Sequence, residues 1–272
     1  MTRKNFTVID AHCHIYPEKI VDRAVAGTDA FYSTHAACRG VASELLEIGE
    51  RVGIDHFVVQ SVATTPKQVQ SINRFIAASV LEAPDKFTGL GSAHPDCEDQ
   101  SAVIGELLEL GLHGIKIHPD IQGFAIDDAR MLPVYALCEE HGLPILMHTG
   151  DYRYQFSNPD RLIPVLKAFP RLNVIGAHFG GWSVWDDASR LLADFPNLFV
   201  DCSSTFPFAN NDLALGERLI ARYGAERVMF GSDFPMWSPE VELNTFMQLR
   251  LTDEERRLIL SENAKKIYHI DQ

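Results

Sequence analysis

Short apolar runs rich in Val, Ile and Phe alternate with helix-patterned stretches along the whole chain, and this alternation restricts the fold more than any other feature. The runs fall at 7–9, 56–62, 87–92, 114–118, 144–148, 173–178, 198–202 and 227–231. Several are apolar on both faces, as strands buried inside a parallel sheet are. Between them, apolar residues recur at helical spacing over 43–52, 66–81, 102–110, 131–141, 159–168, 183–194, 215–223 and 241–249. A last amphipathic stretch, 252–268, opens with Thr252-Asp-Glu-Glu255, the pattern of a capping box. Strand–helix alternation implies parallel strands joined by right-handed crossovers. Eight such units in about 250 residues imply an α/β fold of the (β/α)8 TIM-barrel type, here with an additional C-terminal helix. A doubly wound open sheet would be favoured by a Gly-rich phosphate loop after the first strand, and no such pattern occurs there. No linker or low-complexity segment divides residues 1–272, which read as one barrel domain. The first strand ends near Ile15 and the first helix begins near Ser43, so 16–42 is a candidate lid loop.

Charge and cysteine usage narrow the function classes. With 24 Lys+Arg against 37 Asp+Glu the net charge is −13, which argues against a nucleic-acid-binding surface, since that needs clustered basic residues. No apolar run is long enough for a transmembrane helix or a signal peptide, so no membrane association is expected. Five cysteines, at 13, 38, 97, 138 and 202, are odd in number and form no CxxC pair. They read as reduced thiols of a cytoplasmic protein. The expected partner is a small-molecule substrate; the exposed helix faces of a barrel are compatible with a homodimer, and oligomeric state is left open.

The chemistry lies in where the histidines fall. Of 11 histidines, six sit at carboxyl ends of predicted strands: His12, His14, His94, His118, His148 and His178. In a barrel those ends form one ring, where active sites are built. His12 and His14, two apart on a strand, are expected to face the mouth together. With His148, His178 and Asp233 at other strand ends, they suit a divalent ion such as zinc. Cys13, between the two histidines, is expected to point into the strand–helix layer. Asp10 has the parity of His12 and His14, so it is expected either to hold a ligand imidazole from behind or to make a structural hydrogen bond.

The quoted residues, with Gly114-Ile-Lys-Ile-His-Pro119, Leu143-Pro-Ile-Leu-Met-His-Thr-Gly150, Gly176-Ala-His-Phe-Gly-Gly181 and Phe230-Gly-Ser-Asp-Phe-Pro235, run in order along the chain. In this the sequence resembles the amidohydrolase superfamily, and within it the amidohydrolase-2, aminocarboxymuconate-semialdehyde-decarboxylase-like branch of metal-dependent hydrolases and decarboxylases. The resemblance implies one divalent ion, zinc in the first instance, held by His12, His14, His148 and Asp233. It implies His178 as a proton donor or polariser beside the substrate. In binuclear relatives a carboxylated lysine, here Lys116, bridges two ions and His178 binds the second.

These residues lead first to hydrolysis of an amide, lactone or ester by an activated water, with Asp233 as proton shuttle and His178 aiding the oxyanion or leaving group. The alternative is non-oxidative decarboxylation of a small aromatic acid at the same ion. A metal-binding protein without catalysis is disfavoured, because His178 and Asp233 are both present. Substrate contacts are expected from Lys116, His118, Trp182 and Arg153. Arg153 could clamp an oxyanion or pair with Asp151 or Asp160. Tyr152, Tyr154, Trp185 and Trp237 lie in the same loops, as pocket lining or as packing.

Overall fold

The computed structural model describes residues 6–270. Nine strand segments occur among them: β1 (Ile9–His14), β2 (His56–Gln60), β3 (Phe87–Gly89), β4 (Gly91–Ser92), β5 (Ile115–Ile117), β6 (Ile145–Met147), β7 (Val174–Gly176), β8 (Leu198–Asp201) and β9 (Val228–Met229). All pairings are parallel and consecutive. β3 and β4 are halves of one barrel strand interrupted at Leu90, whose N–H donates to Val59 O at 2.9 Å while Gly91 N donates to Gly114 O at 2.9 Å. The ring closes where Ala11 N meets Phe230 O at 2.9 Å, Asp233 N meets His12 O at 2.9 Å and Cys13 bridges Phe234. The fold is the expected (β/α)8 barrel.

Eight helices clothe it, including Ala42–Val52, Val69–Glu82, Leu132–His141, Pro159–Ala168 and Leu213–Tyr223, close to the stretches predicted from helical spacing. Their inner faces and the outward strand side chains form one continuous apolar layer, in which Cys13 and Ile15 lie. A second cluster fills the barrel interior with Ile9, Ala11, Val58, Leu90, Leu146, Ile175, Phe199 and Met229, and includes Ala264, Ile267, Tyr268 and Ile270. The C-terminal helical segment therefore stops the amino-terminal end of the cylinder. It begins at the predicted capping box, where Thr252 N donates to Glu255 Oε2 at 2.7 Å and Glu255 N to Thr252 Oγ1 at 3.2 Å. It then runs through Asp253–Arg257, a π-helical turn at Leu258–Glu262 and Asn263–Tyr268. Asn263 fixes it to the barrel, its Nδ2 donating to Ala225 O at 2.7 Å and Val228 O at 2.6 Å.

Two features depart from the sequence expectation. The 16–42 connection is not all loop: Val21–Tyr32 is a helix, α1. β1 extends through the histidine pair as expected, but it carries an extra residue. Asp10 pairs with Phe57 and Cys13 with Val59, so Ala11 and His12 together oppose Val58. Such a bulge reverses side-chain parity along the strand. Ile9 and Ala11 face the interior below the bulge, and His12 and His14 face the mouth above it. Asp10 therefore does not share the direction of the histidines.

Asn263 gives the fold a direct test. Asn263→Ala removes two buried hydrogen bonds, each worth about 1 kcal/mol net. The urea midpoint should fall by the equivalent of about 2 kcal/mol with an unchanged slope. A midpoint equal to wild type would show that the plug is not held this way.

Candidate metal and active site

Three donor atoms converge at the carboxyl end of the barrel. His12 Nε2 lies 3.2 Å from His14 Nε2 and 3.3 Å from Asp233 Oδ1, and His14 Nε2 lies 3.6 Å from the same oxygen. Lys116, fully buried on β5, brings Nζ to 3.0 Å from His12 Nε2. Burial lowers its pKa to about 8. Among the described residues no carboxylate lies within ion-pair distance of Lys116 Nζ.

His12 and Asp233 are oriented from behind, whereas His14 Nδ1 is buried with no hydrogen-bond partner among the described residues. His12 Nδ1 donates to Asp201 Oδ2 at 3.0 Å. The other oxygen, Oδ1, accepts from His178 N at 3.1 Å, from Ser203 N at 3.0 Å and from Ser203 Oγ. Asp201 is buried, which raises a carboxyl pKa, but its nearness to His12 and His178 and the hydrogen bonds from His12 and Ser203 outweigh this and hold it well below the usual range. With Nδ1 committed as a donor, His12 presents the Nε2 lone pair to His14 and Asp233. Asp233 stands at φ +62°, and its Oδ2 accepts from Ser204 Oγ at 2.6 Å, which in turn accepts from Trp237 Nε1 at 2.9 Å. Asp10, by contrast, touches no imidazole. Its Oδ1 accepts from Ser232 N at 2.9 Å and His12 N at 3.3 Å, tying β1 to the loop after β9.

His178 is held by a carbonyl. Its Nδ1 lies 2.9 Å from Ser203 O and must carry the proton there, which leaves a lone pair at Nε2. Burial lowers its pKa to about 4. In this state His178 offers an acceptor at Nε2, and the proton-donor or polariser role implied by the resemblance would need the protonated ring. Its ring stacks on His12 at 5.3 Å and meets His148 edge-on at 5.2 Å.

His148 does not join His12, His14 and Asp233. It groups with His118 and Asp120, its ring stacked on His118 at 4.0 Å with 7° between planes. Its Nε2 is buried, has no hydrogen-bond partner among the described residues and lies 3.9 Å from Asp120 Oδ2. His118 Nδ1 accepts from Ile121 N at 3.3 Å and caps the short Pro119–Gln122 helix, while its Nε2 meets Tyr32 Oη at 2.6 Å. Burial lowers the pKa of His14, His118 and His148 well below the ordinary value, which favours neutral rings; the His118 lone pair at Nδ1 is taken by Ile121 N.

The loops that carry these residues cross closely. Gly150, at φ +74°, lies so near the backbone of Gly181 that a Cβ there would come within 2.6 Å of it, which is how the loops after β6 and β7 bring His148 and His178 together. Arg153 is clamped by Asp151, with Nε to Oδ1 at 3.0 Å and Nη2 to Oδ2 at 2.7 Å. Above the donors runs an unbroken arc of rings: Tyr154–Phe31 at 5.0 Å, Phe31–Tyr32 at 4.9 Å, Tyr32–Trp182 at 5.5 Å, Trp182–Phe208 at 4.7 Å and Phe208–Trp237 at 5.4 Å. Tyr152 points into solvent, 75% exposed, and Trp185 packs against the apolar layer.

Comparison with known proteins follows this geometry. The amidohydrolase-2 family profile, described as amidohydrolase, matches residues 9–270. The chain belongs to the amidohydrolase-2 family. A curated relative, 2-amino-3-carboxymuconate-6-semialdehyde decarboxylase of Dictyostelium discoideum, is 32% identical over 149 residues, which span 51% of this chain and 38% of the relative. An uncharacterised TIM-barrel protein of Bordetella bronchiseptica superposes with a TM-score of 0.77 at 22% identity, covering 96% of this chain and 98% of that one. A dihydroxybenzoic acid decarboxylase of Polaromonas sp. JS666, solved with manganese and the inhibitor 2-nitroresorcinol, gives 0.75 at 16% identity and covers 98% of each chain. All five cysteines are free, and no described helix is long and apolar enough to cross a membrane.

Asp201, Ser203 and Ser204 were not singled out in the sequence, although Asp201 ends a predicted strand as the histidines do. Asp201→Asn should weaken binding of a divalent ion 10- to 100-fold, roughly the range for losing a residue that orients a ligand imidazole; unchanged affinity by metal titration would refute this role. His178 yields a pH test in the metal-free protein. Its folded pKa, about 4, lies below the unfolded value of about 6.5. Between these the unfolded chain binds a proton that the folded protein refuses, so this contribution is complete above 6.5 and is lost as pH falls toward 4. His178→Asn should flatten the rise of stability with pH in that window by up to about one proton; parallel profiles would count against it.

Proposed function

We propose that the chain is a metal-dependent, non-oxidative decarboxylase of a small organic acid, aromatic acids being the first class to test. The observation that carries this reading is the arc of aromatic rings standing over a floor of imidazole, ammonium and carboxylate groups. A planar acid fits such a mouth, its carboxylate toward Lys116 and the ion the floor would hold and its apolar body against the rings. The match to a decarboxylase at 32% identity over 149 residues supports the same choice, and it moves the preference from hydrolysis, the first expectation, to the alternative.

The residues fit one divalent ion: three donor groups converge, two of them imidazoles whose Nε2 atoms lie 3.2 Å apart. His12, His14 and Asp233 would hold it, with His148, whose Nε2 is unpartnered, as the remaining candidate ligand. When bound, the ion supplies positive charge that offsets the negative charge of a substrate carboxylate and of the electron pair left behind. Manganese, seen in the Polaromonas structure, joins zinc as a candidate.

The reaction needs one bond broken and one proton delivered. The carbon–carboxyl bond cleaves to release carbon dioxide and leaves its electron pair on carbon, which takes a proton to give the C–H product. Asp233 is suited to that delivery. Its side chain retains 18% exposure, Ser204 fixes Oδ2, and Oδ1 faces the floor. Lys116, with its pKa lowered to about 8, adds a second proton source beside His12 near neutral pH. The aromatic arc excludes water from the carbanionic carbon.

Two measurements decide. Incubation with candidate aromatic acids should release one carbon dioxide per turnover, with no oxygen-18 from labelled water entering product. Label in the product would instead establish hydrolysis. Asp233→Asn with metal retained should cost 10²- to 10⁴-fold in turnover, roughly the span of general acid–base contributions; near wild-type turnover would remove Asp233 from proton delivery.

A further inference from the structure

Tyr32 and Phe31 contribute rings to the arc, and the helix that carries them, α1, stands over the site. α1 is a weakly built helix. Of its 12 residues only Val21 is buried, and Ile20 at its start offers no side-chain cap. Gly27 lies in its middle at a place where a Cβ would meet nothing within 4 Å. Glycine there serves no close packing and weakens the helix.

Its attachments are of two kinds. The chain on either side is pinned by backbone hydrogen bonds: Tyr16 N to Gly40 O at 2.9 Å, Ala37 N to Met236 O at 3.0 Å and Cys38 N to Pro235 O at 3.1 Å. The carboxyl-terminal tip is tied to the following segment through Asp29, whose Oδ1 accepts from Ala36 N at 2.8 Å, and to the barrel by residues of the mouth. Tyr32 Oη meets His118 Nε2 at 2.6 Å. Arg153 Nη1 donates to Phe31 O at 2.9 Å. The Arg153 guanidinium also lies 5.3 Å from the Phe31 ring, 5.1 Å from Tyr32, 5.2 Å from Tyr154 and 5.5 Å from Trp182. Asp151 keeps that guanidinium in place whether or not the tip is seated.

The Tyr32 ring lies 6.1 Å from the His118 ring and 6.2 Å from the His148 ring, over the floor itself. A substrate reaching those imidazoles must pass it. A helix pinned at both feet and fastened at its tip by one phenol and one guanidinium has the build of a lid. Local opening is the least costly where little apolar surface is buried.

We propose that α1 is a lid over the mouth, latched by Tyr32 on His118 and by Arg153 on Phe31, and that Tyr32 must leave His118 for substrate to enter. On reclosure the Tyr32 and Phe31 rings complete the aromatic arc around the bound molecule. This rests on the mouth being the substrate site, and not on which bond is broken there.

The test uses the full chain without substrate. Hydrogen exchange of α1 amides, resolved by mass spectrometry, should speed up about fivefold in Tyr32→Phe, the fold-change expected for loss of one hydrogen bond. Exchange in the barrel strands should stay as in wild type. Modification of His118 by diethyl pyrocarbonate, mapped to the residue, should be at least about tenfold faster in Tyr32→Ala. Wild-type exchange in α1 together with an equally protected His118 would overturn the lid. Uniformly faster exchange across the barrel would also overturn it, as it would show Tyr32 to be a general structural prop. Neither readout uses turnover, so a failure to find carbon dioxide release leaves the outcome for the lid intact.

Discussion

One inserted residue in β1 decides what this barrel can do. Below the bulge the strand directs Ile9 and Ala11 into the dry interior, and above it the same strand directs His12 and His14 into the mouth. Without the shift, one parity would run through the whole strand. A strand that buries Ile9 and Ala11 would then turn both imidazoles into the strand–helix layer, away from Asp233. The mouth-facing histidine pair and the closure of the ring through Asp233 N and His12 O both follow from it.

Above that switch the site is arranged by burial and by one strong anion. The imidazoles of His14, His118, His148 and His178 are neutral because a charged ring would lose its hydration. Asp201 stays ionised because the His12 ring N–H and several other N–H and O–H donors converge on it. It thereby fixes the tautomer of His12 and, through Ser203, the environment of His178. The floor is thus a set of preoriented lone pairs around an ammonium, an arrangement for holding positive charge, while the ring arc above it excludes water.

Much of this was legible along the chain, for a physical reason. Each strand–helix unit carries its own hydrophobic period, so the barrel could be read unit by unit, and the capping box at Thr252 marked its helix without tertiary help. The strand-end histidines could be placed at one rim because a parallel barrel allows nothing else. What escaped depends on contacts between distant segments. The bulge is a matter of register against β2 and leaves no mark in the composition of 9–14. Asp201 was hidden in an otherwise apolar run. The proton position on His178 depends on the Ser203 carbonyl, 25 residues away. α1 was read as loop because Gly27 and its mostly exposed faces blur the periodicity that revealed the other helices.

The stopper formed by Ala264, Ile267, Tyr268 and Ile270 has a consequence for traffic. A cylinder sealed at one end has a single doorway. Whatever is consumed and whatever is made must share it, gas included, and so must any proton drawn from bulk water. Selectivity and pace can then both be set at one rim, by the few side chains that stand in the opening.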